Sequence, residues 1–438
     1  MSSRSKELYQ RARRVLPGGV SRNTLLRSPH PLYAKSAEGC RVVDVDGVER
    51  IDFANNMASL IHGHADPRIV AAVSAQLVRG TAFTLGTEVE IAHAEHLCSR
   101  NAGFDKVRFM NSGTEAVMAA FKAARALTGR QRFAKVEGTY HGAYDYAEVS
   151  QAPGPENWGP PLQPASVPLA EGTPENILRD VIVLPFNQPE AAIARLEQYS
   201  DELAGVLLDP MPHRAGFSPA SDAFVSALAR WTQANGALLI FDEVITFRTE
   251  FGGMQTRYAE RPDLTAMGKI IGGGFPVGAL AGRDELMAVF DASSGAPRLP
   301  HSGTFSANPV TMAAGLSAMQ RFDEAAVARL NALGERARQQ IRQAIDVAGV
   351  PASVTGTGSL FRIHLKAEAP DDYRSSFLTA EEKRRLDQFI DQMYQHGVML
   401  IHTGAGTLCT PMGQDELDRL ADAVCKSLRQ LRTAHGKR

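Results

Sequence analysis

Between about residue 88 and residue 320, short unbroken apolar runs alternate with amphipathic stretches. The runs are VRFM (107–110), FAKV (133–136), VIVL (181–184), GVLLD (205–209), ALLIFDEV (237–244), LTAMG (264–268) and GALAG (278–282). Between them, spacing predicts helices near 114–128, 189–199, 221–235 and 308–322. An apolar run without polar alternation is a strand covered on both faces. Strands separated by helices form a mostly parallel sheet. The central segment is therefore predicted to be α/β, with ligands at the carboxyl ends of its strands.

The flanks differ. Residues 5–16 predict a short helix that stops at Pro17-Gly18-Gly19. Segments 41–45 and 49–53 flank Asp46-Gly47, a hairpin signal. Residues 67–80 predict a helix entered through Pro67. After residue 323, helices (326–348, 379–396) alternate with strands (359–365, 398–402, 406–410), an α+β pattern. The chain thus divides into an N-terminal segment (1–87), a large unit (88–322) and a C-terminal unit (323–438). Residues 151–176 are dense in proline and glycine, as functional lids or mobile segments are. The end from His435 to Arg438 is expected to be a solvated tail.

Composition narrows the partners. Lys and Arg number 47 against 48 Asp and Glu, a net charge of −1. No excess of positive charge is present to bind nucleic acid or an anionic membrane. Small molecules or a second copy of the chain are the expected partners. Cys40, Cys98, Cys409 and Cys425 show no CxxC spacing, so reduced thiols and a cytoplasmic setting are expected. The N-terminus has no apolar core of a secretory signal, and no apolar stretch can span a bilayer.

Four short motifs carry chemistry. Asn111-Ser112-Gly113-Thr114-Glu115 follows a strand and opens a helix, where unpaired N–H groups favour an anion. It is a phosphate site or a simple N-cap. Asp242, ending an apolar strand, needs a partner if buried. A protonated pyridine nitrogen, a salt bridge or a cap would each serve. Lys269 follows a strand and precedes glycines 272–274. It is a nucleophile and proton carrier with a lowered pKa, flexible at its back, or a solvated lysine. Tyr140-His141, between Gly138 and Gly142, offers a ring to stack on a flat ligand or a tyrosine to the core. His62 and His64 read as turn residues rather than metal ligands, and Trp158 as a loop anchor or a ligand shield.

The order and spacing of these motifs resemble the class III pyridoxal-phosphate aminotransferases of fold type I, nearest the glutamate-1-semialdehyde aminomutase-like branch. The resemblance rests on Ser112-Gly113-Thr114, Tyr140-His141-Gly142, Asp242, Lys269 and His301-Ser302-Gly303-Thr304-Phe305 with Asn308-Pro309. Leu16-Pro17-Gly18-Gly19-Val20, Val45-Asp46-Gly47 and His62-Gly63-His64 extend it over nearly the whole chain. It implies a mostly parallel seven-stranded sheet with a smaller α+β domain drawn from both chain ends. It implies Lys269 as the residue that binds the coenzyme and moves the proton, and Asp242 as partner of the ring nitrogen. Val244 and Tyr140 would flank the ring, and His141 would lie beside it. Ser112, Gly113 and Thr114 would hold the phosphate, and Thr304 would complete that site from a neighbouring subunit. A homodimer with shared active sites follows. The substrates implied are an amino donor and an oxo-acid acceptor, or a single skeleton for an aminomutase.

Three departures bear on substrate. Asp209-Pro210 stands where the family often has glutamate, which alters a contact to the coenzyme's edge. Arg22 resembles a carboxylate-binding arginine of β-amino-acid aminotransferases, and is otherwise a solvated arginine after a turn. The loop Thr403-Gly404-Ala405-Gly406 lacks both the arginine of those relatives and the acidic gate of aminomutases. His213 and Arg214 either face the substrate or belong to a surface loop.

Overall fold

A computed structural model describes residues 3–435, without the side chains of 433–435. The expected tail beyond His435 lies outside the described residues. In chain order the strands are β1 (Ala34–Glu38), β2 (Arg41–Asp44), β3 (Glu49–Asp52), β4 (Lys106–Met110), β5 (Arg132–Val136), β6 (Val181–Leu184) and β7 (Leu203–Leu208). Then follow β8 (Leu238–Asp242), β9 (Leu264–Gly268), β10 (Gly278–Gly282), β11 (Ser353–Thr355), β12 (Leu360–His364), β13 (Val398–Met399) and β14 (Ala405–Thr407).

Seven of them form the central sheet, in the order β4-β10-β9-β8-β7-β5-β6. The pairs from β9 to β6 run parallel, while β10 runs antiparallel to both neighbours. Burial explains the apolar runs: every residue of β6, β7, β9 and β10 is buried. Helix Gly113–Thr128 packs on β9 and β10 through a face of Ala116, Ala119, Ala120, Ala123 and Ala124, whose small side chains let it lie close. Ser112 caps its start, accepting from the Glu115 N–H at 3.2 Å, and Gly129 ends it at φ +74°.

The chain ends share the smaller sheets. β3 pairs in parallel with β13, Ile51 opposite Val398, so the N-terminal hairpin and the C-terminal unit are one layer. β12 lies between β11 and β14 in the third sheet. Helix Glu88–Ser99 has no counterpart in the hydrophobic pattern. Its buried side includes His93, whose Nε2 bonds the Ile271 carbonyl at 2.8 Å, so the apolar stripe is broken by a polar ring. Strand β11 and the helix Gln414–His435 were likewise absent from the expectation.

The proline- and glycine-rich segment 151–176 is laced to the rest of the molecule. Arg374 donates to the carbonyls of Trp158 (2.9 Å), Gly159 (2.8 Å) and Pro160 (3.3 Å). Tyr373 donates to Pro153 O at 2.8 Å, and Trp158 packs edge-on against Phe377. Trp158 is thus an anchor of its loop. The glycines behind Lys269 differ from expectation. A Cβ on Gly273 would lie 2.3 Å from the Ala314 carbonyl, and one on Gly272 2.6 Å from Val277. They permit close packing against helix Pro309–Arg321 rather than supplying slack.

Candidate active site

Parallel strands end side by side, and the residues just past their ends converge. Asp242 closes β8, Lys269 follows β9, Asp209 follows β7 and the Thr139–His141 turn follows β5. Asp242 is buried. Its Oδ2 lies 2.8 Å from Nδ1 of His141, and its Oδ1 accepts from the Val244 N–H at 3.0 Å. Burial pushes the His141 pKa down, against the upward pull of Asp242. A neutral ring donates through Nδ1 to the carboxylate, and its Nε2 meets the Thr139 hydroxyl at 2.8 Å. Asp242 thus has a hydrogen-bond donor at each carboxylate oxygen.

Lys269 is half-buried, with its backbone in the left-handed region at φ +50°. That conformation costs a non-glycine residue of order 1–3 kcal/mol, and such strain collects at functional sites. Burial lowers the lysine's pKa, while Asp242 and Asp209 work against the shift. The Asp209 pKa is pushed well above its ordinary value by burial first and then by the nearby Asp242; the Met211 N–H at 2.9 Å offsets part of this.

The third component lies where β4 feeds helix Gly113–Thr128. The N–H groups of Gly113 and Thr114 have no carbonyl four residues back inside the helix. Glycines hold this corner tight. A Cβ on Gly278 would sit 1.9 Å from the Ser112 carbonyl, one on Gly142 2.4 Å from Thr114 Oγ1, and one on Gly113 2.9 Å from Val244. Val244 thereby joins the helix start to the Asp242 turn.

The remaining expected residues are dispersed. Tyr140 is exposed on the cleft side, its ring 6.1 Å from that of His213 at a 70° angle. Arg22 is exposed and bonds Asn56 Oδ1 at 2.9 Å. Asn56 belongs to a run of four left-handed residues, Asn55 to Ala58. Thr304 is exposed. His62 bonds Thr410 and the Ala318 carbonyl, and His64 pairs with Asp52, so each ring serves the fold.

Three contributors escaped the sequence reading. Thr139 steadies His141. Gly278 shapes the helix corner without a left-handed φ to mark it. Glu243 is fully buried and accepts from the N–H groups of Met254 (2.6 Å) and Gln255 (2.9 Å), fastening the turn after Asp242. An acid directly after a buried strand is the one signal that pointed to Glu243.

Chemically, such a corner suits an anion, a carboxylate like that of Asp242 suits a cationic ring nitrogen, and a lysine of lowered pKa suits attack on a carbonyl. An aromatic aldehyde with a phosphate tail meets all three conditions, and on this sheet topology that describes a pyridoxal-phosphate enzyme. The profile of the family "Aminotransferase class-III" matches residues 26–414, and the chain belongs to that family. The chain is 49% identical to an omega-transaminase from Sphaerobacter thermophilus, with a TM-score of 0.94 over 98% of both chains. It is 31% identical to a beta-phenylalanine aminotransferase from Variovorax paradoxus, with a TM-score of 0.87 over 99% of this chain and 94% of that one. Among curated proteins, it is 38% identical to the glutamate-1-semialdehyde 2,1-aminomutase of Methanothermobacter thermautotrophicus, covering 90% of each. No helix among the described residues is long and apolar enough to cross a membrane.

Proposed function

We propose that the protein is an aminotransferase that takes the amino group of an amino acid, a β-amino acid in particular, and passes it to an oxo acid in two half-reactions. It works as a cytoplasmic homodimer, with the coenzyme held in unit 88–322 and the units 1–87 and 323–438 closing over it. Ser112, Gly113 and Thr114 hold the phosphate, and Thr304 completes the phosphate site across the dimer. Asp242, hydrogen-bonded by His141, pairs with the ring nitrogen. Val244 and Tyr140 cover the two ring faces, and Asp209 lines an edge. The bound coenzyme supplies an electron sink for the carbanion left when Cα loses its proton. Lys269, its pKa lowered by burial, would take that proton and return it to the coenzyme. Arg22 grips the donor's carboxylate through its planar guanidinium, displacing Asn56.

The observation that carries this reading is the meeting of Lys269 and Asp242 at the ends of adjacent parallel strands, one amine lowered by burial and one carboxylate held by a neutral imidazole. A second reading, glutamate-1-semialdehyde 2,1-aminomutase, is favoured by the 38% identical curated relative. The absence of an acid in Thr403–Gly406 counts against it. The test supplies amine donors with pyruvate or 2-oxoglutarate to the holoenzyme. New alanine or glutamate supports transfer; isomerisation of glutamate-1-semialdehyde with no acceptor present overturns it in favour of the mutase.

A further inference from the structure

Lys269 opens a single turn of 3₁₀ helix, Lys269–Gly272, directly after β9. Its left-handed backbone is a conformation that persists only where the surroundings over-determine it. Two of the turn's carbonyls are closed locally. Ile270 accepts from the Gly273 N–H at 3.2 Å, and Gly272 from the Phe275 N–H at 3.0 Å. The Ile271 carbonyl between them is closed from a distant segment, by Nε2 of His93 at 2.8 Å.

His93 is fully buried, and its ring stacks on that of Phe109 in β4, with 5.4 Å between centroids and 12° between planes. Helix Pro309–Arg321 walls the hydrogen bond in. A Cβ on its Gly315 would lie 2.2 Å from the Ile271 carbonyl oxygen and 2.7 Å from His93 Nε2. A carbonyl only accepts, so the single proton of the neutral ring is on Nε2. Nδ1 is then a bare acceptor, and it has no hydrogen-bond partner among the described residues. Burial pushes the His93 pKa down to about 4, against the Ile271 bond, so the ring donates in one tautomer throughout the neutral range. An apolar ring would fill this space without leaving a buried nitrogen unsatisfied. What histidine adds is the N–H on the turn that carries Lys269.

We propose that His93 is a positioning residue for Lys269: its Nε2–H pins the Ile271 carbonyl and so holds the lysine's left-handed backbone, and with it the placement of the amine. The inference rests on the aminotransferase reading and deepens it. Phe109 lies three residues before Ser112, so the ring that pins the lysine turn also braces the strand leading to the phosphate corner. One side chain thus sets the two ends of the coenzyme site against each other.

Three variants separate the N–H from the ring. His93→Gln keeps a donor without the ring, His93→Phe keeps the ring without a donor, and His93→Met, similar to Gln in length, keeps neither. In the holoenzyme, His93→Phe and His93→Met slow the half-reaction with 1-phenylethylamine roughly tenfold or more, as misplacing a reacting group does, while its KM stays within about twofold. His93→Gln stays within about threefold of the wild-type rate, because the hydrogen bond survives. A second readout needs no coenzyme. The Lys269 pKa of the full-length apoprotein is read from the pH dependence of its acetylation by acetic anhydride, followed by peptide mapping. It rises toward the ordinary lysine value of about 10.4 in His93→Phe and His93→Met and stays at the wild-type value in His93→Gln. That split supports the proposal even if no transamination is found, in which case the aminotransferase reading alone falls. An unchanged Lys269 pKa in His93→Met, a His93→Gln as impaired as His93→Met, or unfolding of all three variants makes His93 a packing residue and overturns the proposal.

Discussion

His141 and Asp242, 101 residues apart in the chain, meet at 2.8 Å in the buried floor of the cleft. The imidazole donates to the carboxylate, and Thr139 braces the ring from behind. One charge-assisted hydrogen bond of this kind is worth about 1.5–3 kcal/mol. His141→Phe is accordingly expected to lower kcat roughly 10- to 100-fold without unfolding the protein. Single-turnover kinetics with an amine donor check this, and a variant as fast as the wild type removes His141 from the circuit.

Asp242 and Asp209 both oppose the lowering of the Lys269 pKa by burial. Lys269→Ala is expected to retain coenzyme non-covalently and to lose at least ~10²-fold in turnover, the lower worth of a positioned base. Borohydride followed by peptide mapping labels position 269 in the wild type. A label on another lysine would falsify the assignment.

Gly278 carries no positive φ, yet its missing Cβ is required, since that atom would lie 1.9 Å from the Ser112 carbonyl. Gly278→Ala pushes β10 away from the helix start, a strain of about 1–3 kcal/mol. The expected result is weaker retention of coenzyme on dialysis, with secondary structure preserved by circular dichroism. Equal retention in the two proteins would show that the corner does not contact the phosphate.

Arg374 holds Glu137 at 2.8 and 2.9 Å through two nitrogens, both side chains largely buried. Removing one partner of such a pair costs roughly 3–5 kcal/mol. Arg374→Met is expected to lower the melting temperature and to open residues 151–176 to limited proteolysis. If cleavage there is no faster than in the wild type, this arginine does not fasten the segment.

Lys135 is fully buried and donates to the Val149 carbonyl at 2.7 Å. Burial, reinforced by Arg214, depresses its pKa to about 7, whereas in an unfolded chain it titrates near 10.4. Between those values the unfolded state holds the extra proton, so stability rises with pH; below about pH 7 the full cost of burying the charge remains. The slope contributed is at most about 1.4 kcal/mol per pH unit. Urea unfolding at pH 7, 8 and 9 should show this rise in the wild type and a smaller one in Lys135→Met. Parallel slopes in the two proteins would rule Lys135 out as the titrating group.

The legible parts of this protein are those written in neighbouring residues. Buried strands announce themselves as unbroken apolar runs, so β4 to β10 were readable in order, and with them the positions past their ends where Asp242 and Lys269 stand. Helix Glu88–Ser99 was not readable, because His93 interrupts its apolar face and its Nε2 bonds a carbonyl 178 residues away. Glycines 272–274 were misread for a related reason. A missing side chain looks alike whether it supplies freedom or makes room, and only the Ala314 carbonyl beside Gly273 separates the two.

Local order along the chain thus settled the kind of sheet and which residue types stand at its carboxyl edge, because burial and helix entry act over a few neighbouring positions. Folding alone fixed that His141 is the partner of Asp242 and which glycine cannot be replaced. Charge and close packing depend on distance through space, and the residues concerned come from segments tens to hundreds of positions apart.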